Sequence, residues 1–126
     1  MILGIGTDIV SVERFYNSKT SMNTFAEKIL TEFELEEYNK LSDDAARYLA
    51  KKWAAKEAIA KAWGTGIAGE TKFKSIEIRH STNGKPSVCF LNKLRDSADV
   101  LGAKCHISIS DEGDTVVAYS LIEYRG

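Results

Sequence analysis

The chain has 126 residues, 44% of them apolar and 28% charged, with a formal net charge of −1. These totals suit one folded domain over 1–126, exclude a disordered chain, and give no global attraction to nucleic acid or an anionic membrane. No stretch approaches the roughly 18 apolar residues of a membrane helix, and MILGIGTDIV at the start lacks the basic region and cleavage site of a secretory signal, so a cytoplasmic protein is expected.

Residues 2–9 alternate as a strand, with Leu3, Ile5 and Ile9 on one face and Gly4, Gly6 and Asp8 on the other. Ser11 can cap a short helix from Val12, and residues 17–23 read as a break. A second helical piece, about 23–29, carries Phe25 and Ile29 at i,i+4 spacing. Thr31 with Glu34 forms a capping box for a helix running to about Leu41, with Leu35, Tyr38 and Leu41 inward. Ser42 or Asp43 caps the long helix that follows, and Gly64 ends it as the C′ residue. Along that helix Ala46, Leu49, Ala50, Trp53 and Ala60 share a stripe, with Glu57 at its centre and Lys61 at its flank.

After the loop GTGIAGETK, strands over 73–80 and 86–91 form a hairpin whose turn carries Asn83-Gly84, the favoured type I′ pair. A short helix with Leu94, Ala98 and Leu101 inward closes at Gly102. Strands over 103–110 and 115–123 make a second hairpin. In the first of them Ala103, Cys105, Ile107 and Ile109 share one face, and Lys104, His106, Ser108 and Ser110 the other. Cys89 and Cys105 lack metal-type spacing and are expected as reduced core residues. The element order has no regular βαβ alternation. It predicts an α+β fold, a largely antiparallel sheet packed against one long helix and short helices.

Four features could carry chemistry. Asp8 stands beside two glycines, and glycine inside a strand often marks close approach of a ligand or another backbone; the plainer reading is a strand-ending residue that helps cap the next helix. Glu57 and Lys61 could be an ordinary i,i+4 ion pair, but a carboxylate on an apolar face needs compensation. Asp8 and Glu57 on separate elements would repel unless a cation lay between them. Two hard oxygen ligands suit Mg²⁺, which keeps waters and completes its shell with substrate phosphates. Lys61 would then serve a phosphate oxygen or protonate a leaving group. His106 shares a polar strand face with Ser108, where a histidine can equally be half-exposed filler. The turn STNGKP needs no function as a turn, and GTGIAG is not a P-loop. Together these features support a metal-dependent site acting on a phosphorylated substrate.

GIGTDIV at the N-terminus, WAAKEAIAKAWGTGI in the long helix, NGKP in the first hairpin and HISIS near the end resemble the holo-[acyl-carrier-protein] synthase family. These are small, single-domain 4′-phosphopantetheinyl transferases. The resemblance runs nearly end to end, and its elements G-x-D and [FW]-x-x-K-E-x-x-x-K are specific in combination. It implies the family's fold and transfer of 4′-phosphopantetheine from coenzyme A to a serine of apo-acyl carrier protein, with release of adenosine 3′,5′-bisphosphate. By resemblance Asp8 and Glu57 would bind Mg²⁺ against the CoA pyrophosphate, Lys61 would neutralise or protonate the departing bisphosphate, and His106 would lie near the phosphates. Asn83, Gly84, Lys85 and Pro86 match the turn along the adenine nucleotide. Lys52 matches a basic CoA contact, and the turn from Gly64 to Gly66 lies by the ligand. Glu57 is also the candidate to take the serine proton.

The family implies a homotrimer with active sites between subunits. It also implies carrier docking on a basic first helical region around an apolar anchor. Here Arg14, Lys19 and Lys28 accompany Phe25, but Ser21 and Thr24 stand where basic residues are frequent, and Glu13 and Glu27 dilute the charge. Docking that depends more on apolar contact than on steering is expected. A non-catalytic module binding CoA or acyl carrier protein is the first rival, against which the intact set Asp8, Glu57, Lys61 and His106 speaks. A Mg²⁺-dependent nucleotide pyrophosphatase, cleaving CoA without a carrier, is the second.

Overall fold

The structure, a computed structural model, describes residues 1–125. In chain order it consists of β1 (Ile2–Ser11), α1 (Glu13–Tyr16), α2 (Met22–Ile29), α3 (Glu32–Asn39), α4 (Ala45–Trp63), β2 (Ile76–His80), β3 (Pro86–Phe90), α5 (Asn92–Leu101), β4 (Lys104–Glu112) and β5 (Thr115–Glu123), with a 3₁₀ turn at Phe73–Ser75 before β2. The strands form an antiparallel sheet β1–β5–β4 and a separate antiparallel pair β2–β3. The expected α+β class is the observed one. No helix among the described residues is long and apolar enough to cross a membrane.

α4 is the axis of the molecule. The expected single apolar stripe is too narrow, because Ala54, Ala55, Ala58 and Ala62 are buried as well, together with Lys52 and Lys56. Alanine explains how: its small side chain lets backbone approach on several sides, where a helix of larger residues would hold its neighbours off. The glycines of β1 supply the matching surface. A Cβ on Gly4 would lie 2.2 Å from the Ala62 carbonyl oxygen, and one on Gly6 would lie 2.0 Å from that of Ala58. Strand and helix therefore touch backbone to backbone, which accounts for glycine at both positions. Asp8, next on the same face, is delivered to the surface of α4.

The other face of this sheet is open. Cross-strand pairing places Ile5 with Leu121 and His106, and Ile9 with Val117 and Ser110. Ile5 and Ile9 are 60% and 69% exposed, and Tyr119 between them is 44% exposed.

Several local expectations need correction. Ser11 does not cap α1; Asp114, from the β4–β5 turn, receives the Glu13 N–H at 3.1 Å and also bonds Ser11. Neither Ser42 nor Asp43 caps α4; Asp44 precedes it in the left-handed region (φ 53°), with its carboxylate accepting from Arg47 Nε at 3.0 Å. Leu41 lies past the end of α3 and is exposed, and Cys89 is exposed rather than a core residue. Cys105 is half-buried, and burial pushes its thiol up to about 11, so it is not a reactive thiolate. The Asn83-Gly84 turn is not type I′, which needs positive φ at both residues; only Gly84 has it (φ 86°). The loop is longer, closed by Gly84 N–H to the Ser81 carbonyl at 2.8 Å and Ser81 N–H to the Lys85 carbonyl at 2.9 Å.

The Thr31–Glu34 capping box forms as expected. Gly64 (φ 90°) ends α4, its N–H reaching the Lys61 carbonyl, and Gly66 N–H returns to the Ala60 carbonyl.

Candidate active site

β1 and α4 bring Asp8, Glu57 and Lys61 together. Lys61 Nζ donates to Asp8 Oδ1 at 3.1 Å and to the Thr7 carbonyl at 2.9 Å. The sequence pairs Glu57 with Lys61 along the helix, but the ammonium turns to the strand carboxylate instead. Glu57 accepts no hydrogen bond from any described residue. Its carboxyl is pushed above the ordinary range by burial first and by the Asp8 charge second, against the opposing pull of Lys61 and Arg14. The site thus holds neighbouring carboxylates with one lysine between them, and the lysine is committed to Asp8.

The donor set bears directly on a metal. No cluster of three or more His, Cys, Asp or Glu side chains suited to a metal occurs among the described residues. Asp8 and Glu57 offer hard oxygen ligands with a surplus of negative charge. That fits a divalent ion of the Mg²⁺ kind, which takes its remaining ligands from water and phosphate.

A second locus lies elsewhere. A cavity of about 390 Å³ is lined by Tyr48, Lys51 and Lys52 of α4, by His80, Gly84 and Pro86 of the β2–β3 hairpin, and by Ile107 and Ser108 of β4. Its lining does not include Asp8, Glu57 or Lys61. Lys52, expected as a basic CoA contact, is only 3% exposed, and its Nζ donates to the Ile78 carbonyl at 3.1 Å. Burial holds Lys52 below its ordinary value, and His80 is lowered by burial and then by Lys52. Asn83 and Lys85 are exposed beside this cavity, with Lys85 N–H bonded to Asn83 Oδ1 at 3.2 Å.

His106 belongs to neither cluster. It sits on the open face of the sheet, opposite the face that carries Asp8, with Nε2 2.6 Å from Glu123 Oε2. The structure therefore unites three of the expected residues, groups the NGKP turn with Lys52, and leaves His106 apart within one chain. Gly64 and Gly66 lie in the loop just beyond Lys61.

Of the expected docking residues, Arg14 lies nearest the carboxylates. Arg14 stacks over the Trp53 ring at 4.6 Å and lies close enough to influence Glu57. Phe25 packs on Phe15 at 5.1 Å, and Lys28 is exposed.

Sequence reasoning missed Tyr48, Lys51 and His80 in the cavity, and Glu123 beside His106. Lys51 carried no motif; its position one residue before Lys52 on a helix was the available hint. Lys56 stood inside the quoted helix motif without a role, and it proves to be fully buried.

Comparison with known proteins settles the class. Residues 4–119 match the 4′-phosphopantetheinyl transferase superfamily, so the fold is that of a group-transfer enzyme. A holo-[acyl-carrier-protein] synthase from Neisseria meningitidis serogroup A is 46% identical over 125 residues, covering 98% of this chain and 99% of the relative. The crystal structure of holo-[acyl-carrier-protein] synthase from Neisseria meningitidis superposes with a TM-score of 0.90 at 44% identity, over 98% of this chain and 99% of that one. A holo-(acyl-carrier-protein) synthase from Bacillus anthracis, solved in complex with CoA (3′,5′-ADP), gives 0.84 at 34% identity over 99% of each chain. The chain belongs to the holo-[acyl-carrier-protein] synthase family of 4′-phosphopantetheinyl transferases.

Proposed function

We propose that this enzyme transfers 4′-phosphopantetheine from coenzyme A to a serine of apo-acyl carrier protein in a Mg²⁺-dependent reaction serving fatty acid biosynthesis in the cytoplasm. The observation that carries the Mg²⁺-dependent reading is the convergence of Asp8, Glu57 and Lys61, a surplus of carboxylate charge beside one ammonium bonded to Asp8. Asp8 and Glu57 would hold the ion, which supplies charge neutralisation on the CoA diphosphate.

The residues do the rest by placement, as phosphoryl-type transfer demands. The serine Oγ–phosphorus bond forms as the phosphorus–oxygen bond of the diphosphate breaks. Adenosine 3′,5′-bisphosphate leaves with the bridging oxygen, whose new charge falls to Lys61. The serine proton passes to Glu57, a carboxylate that accepts no hydrogen bond from any described residue. The turn from Asn83 to Pro86, with Lys52, receives the nucleotide part of CoA, and the basic cavity supports this reading. Gly64 and Gly66 let the backbone after α4 pass close to the ligand.

A homotrimer reconciles the separated clusters. The open sheet face around Ile5, Ile9 and Tyr119 supplies apolar area for subunit contact, and His106 on it could reach a neighbouring subunit's phosphates. Acyl carrier protein would dock on Arg14, Phe25 and Lys28, with Arg14 nearest Glu57. Because Glu13 and Glu27 dilute the charge there, the association rate should fall by less than about tenfold between low and physiological salt, measured by stopped flow. A steeper loss would show that steering dominates.

The function is tested by mass spectrometry of apo-acyl carrier protein incubated with the enzyme, CoA and Mg²⁺. One added phosphopantetheine arm is expected. CoA cleavage without carrier modification would point to a pyrophosphatase instead.

A further inference from the structure

The transfer chemistry leaves one buried ionic cluster unused. Glu34 and Lys56 are both 0% exposed, and Lys56 Nζ meets Glu34 Oε1 at 2.6 Å. Lys56 also donates to the carbonyls of Ile29 at 2.6 Å and Phe73 at 3.0 Å. Glu34 does more than close the capping box. Its Oε1 accepts from Thr31 N–H at 3.0 Å, and its Oε2 accepts from Ile78 N–H at 2.8 Å. Lys52 takes the carbonyl of the same residue, Ile78.

Ile78 is the midpoint of β2, which pairs only with β3. Both backbone groups on its free edge are thus satisfied by charged side chains from α3 and α4, where an exposed edge would otherwise need covering. An ion pair is a poor choice for stability alone, since apolar residues of similar volume often hold a core as well or better. What the ions add is direction. Carboxylate and ammonium grip one residue of the hairpin, Ile78, through its N–H and its carbonyl. Two residues further on β2 ends at His80, which faces Lys51 and Lys52 across the cavity, with Gly84 and Pro86 following.

We propose that Glu34, held by Lys56, is a positioning residue for the nucleotide cavity: its grip on Ile78 sets the gap between the Asn83–Pro86 turn and α4. The inference rests on the reading above that this turn and cavity receive the nucleotide part of CoA.

The test is calorimetric titration of CoA, with kcat and KM, on the full-length protein and three variants. Lys85→Ala probes the reading itself. Glu34→Leu/Lys56→Met removes both charges without orphaning either, and Glu34→Asp keeps the charge but shortens its reach to Ile78. Both Glu34 variants should weaken CoA binding about tenfold, the scale of one misplaced charge-assisted hydrogen bond, with kcat within about twofold of the parent. A purely structural role would lower the melting temperature but leave the Kd of the folded protein unchanged. If the double variant does not fold, Glu34→Asp decides alone. Weakening by Lys85→Ala with no change in the folded Glu34 variants overturns the inference and spares the reading. No weakening by Lys85→Ala overturns the reading.

Discussion

Glu57→Gln should lower transfer to acyl carrier protein by about 10²- to 10³-fold, the scale seen when one stabiliser of transition-state charge is removed. The fold should survive. Glutamine fills the same space, and Glu57 has no hydrogen bond among the described residues for the amide to break. The metal-free variant should also melt at or above the parent at neutral pH. The sign follows from linkage: folding raises the Glu57 pKa, so the protonated form is favoured in the native state. Its contribution is fully present below the unfolded pKa and is lost as pH rises through the folded one. At neutral pH the ionised carboxylate is therefore a burden that the amide lacks. The melting difference should close as pH falls below the ordinary carboxylate range. Wild-type turnover in Glu57→Gln would remove the residue from the metal and base roles, and a large fall in melting temperature would show that Glu57 is structural.

Gly6→Ala should be the most damaging small substitution for the fold. Its Cβ would sit 2.0 Å from the Ala58 carbonyl oxygen and 2.8 Å from the Ala62 nitrogen, both backbone atoms of α4 that no rotamer change can move. β1 must lift from the helix. We expect a loss of about 3 kcal/mol, the upper range for overpacking, and a melting temperature lower by about 10 °C. Asp8, two residues on, moves with the strand, so specific activity should fall even in the folded fraction. Gly66→Ala is the control. Nothing lies within 4 Å of its Cβ, and the strain of its positive φ (65°) costs about 1–2 kcal/mol. Calorimetric melting of both variants tests the contrast, and a Gly6→Ala melt within about 3 °C of the parent would contradict it.

These cases show what the sequence could and could not reveal. Local signals were legible. The Thr31–Glu34 capping box, the Gly64 C′ residue and the alternation that puts His106 opposite Cys105 all depend on neighbours in the chain, and all hold. The glycines beside Asp8 pointed to a close approach, and the partner proved to be the α4 backbone.

Long-range contacts were not legible. Asp114 caps α1 from 101 residues away, and no periodicity marks such a pairing. Glu34 looked finished once its capping role was assigned, yet its second oxygen reaches Ile78, 44 residues on. The alanines of α4 misled in a different way. Three of them were placed in one stripe, whereas Ala54, Ala55, Ala58 and Ala62 are buried too, and their small size lets the chain surround the helix. For the site, the type of chemistry could be read from residue identities, but the turn of Lys61 toward Asp8 is set by β1 lying flush on α4.

The most direct measurement of the central claim is metal binding itself, read without turnover. Titration of Mn²⁺ into the protein with CoA, followed by loss of the free-ion electron paramagnetic resonance signal, should show one ion bound per chain. Asp8→Asn and Glu57→Gln should each abolish that binding while both proteins remain folded. Undiminished Mn²⁺ binding in both variants would mean that the strand and helix carboxylates do not hold the ion, and would contradict the account.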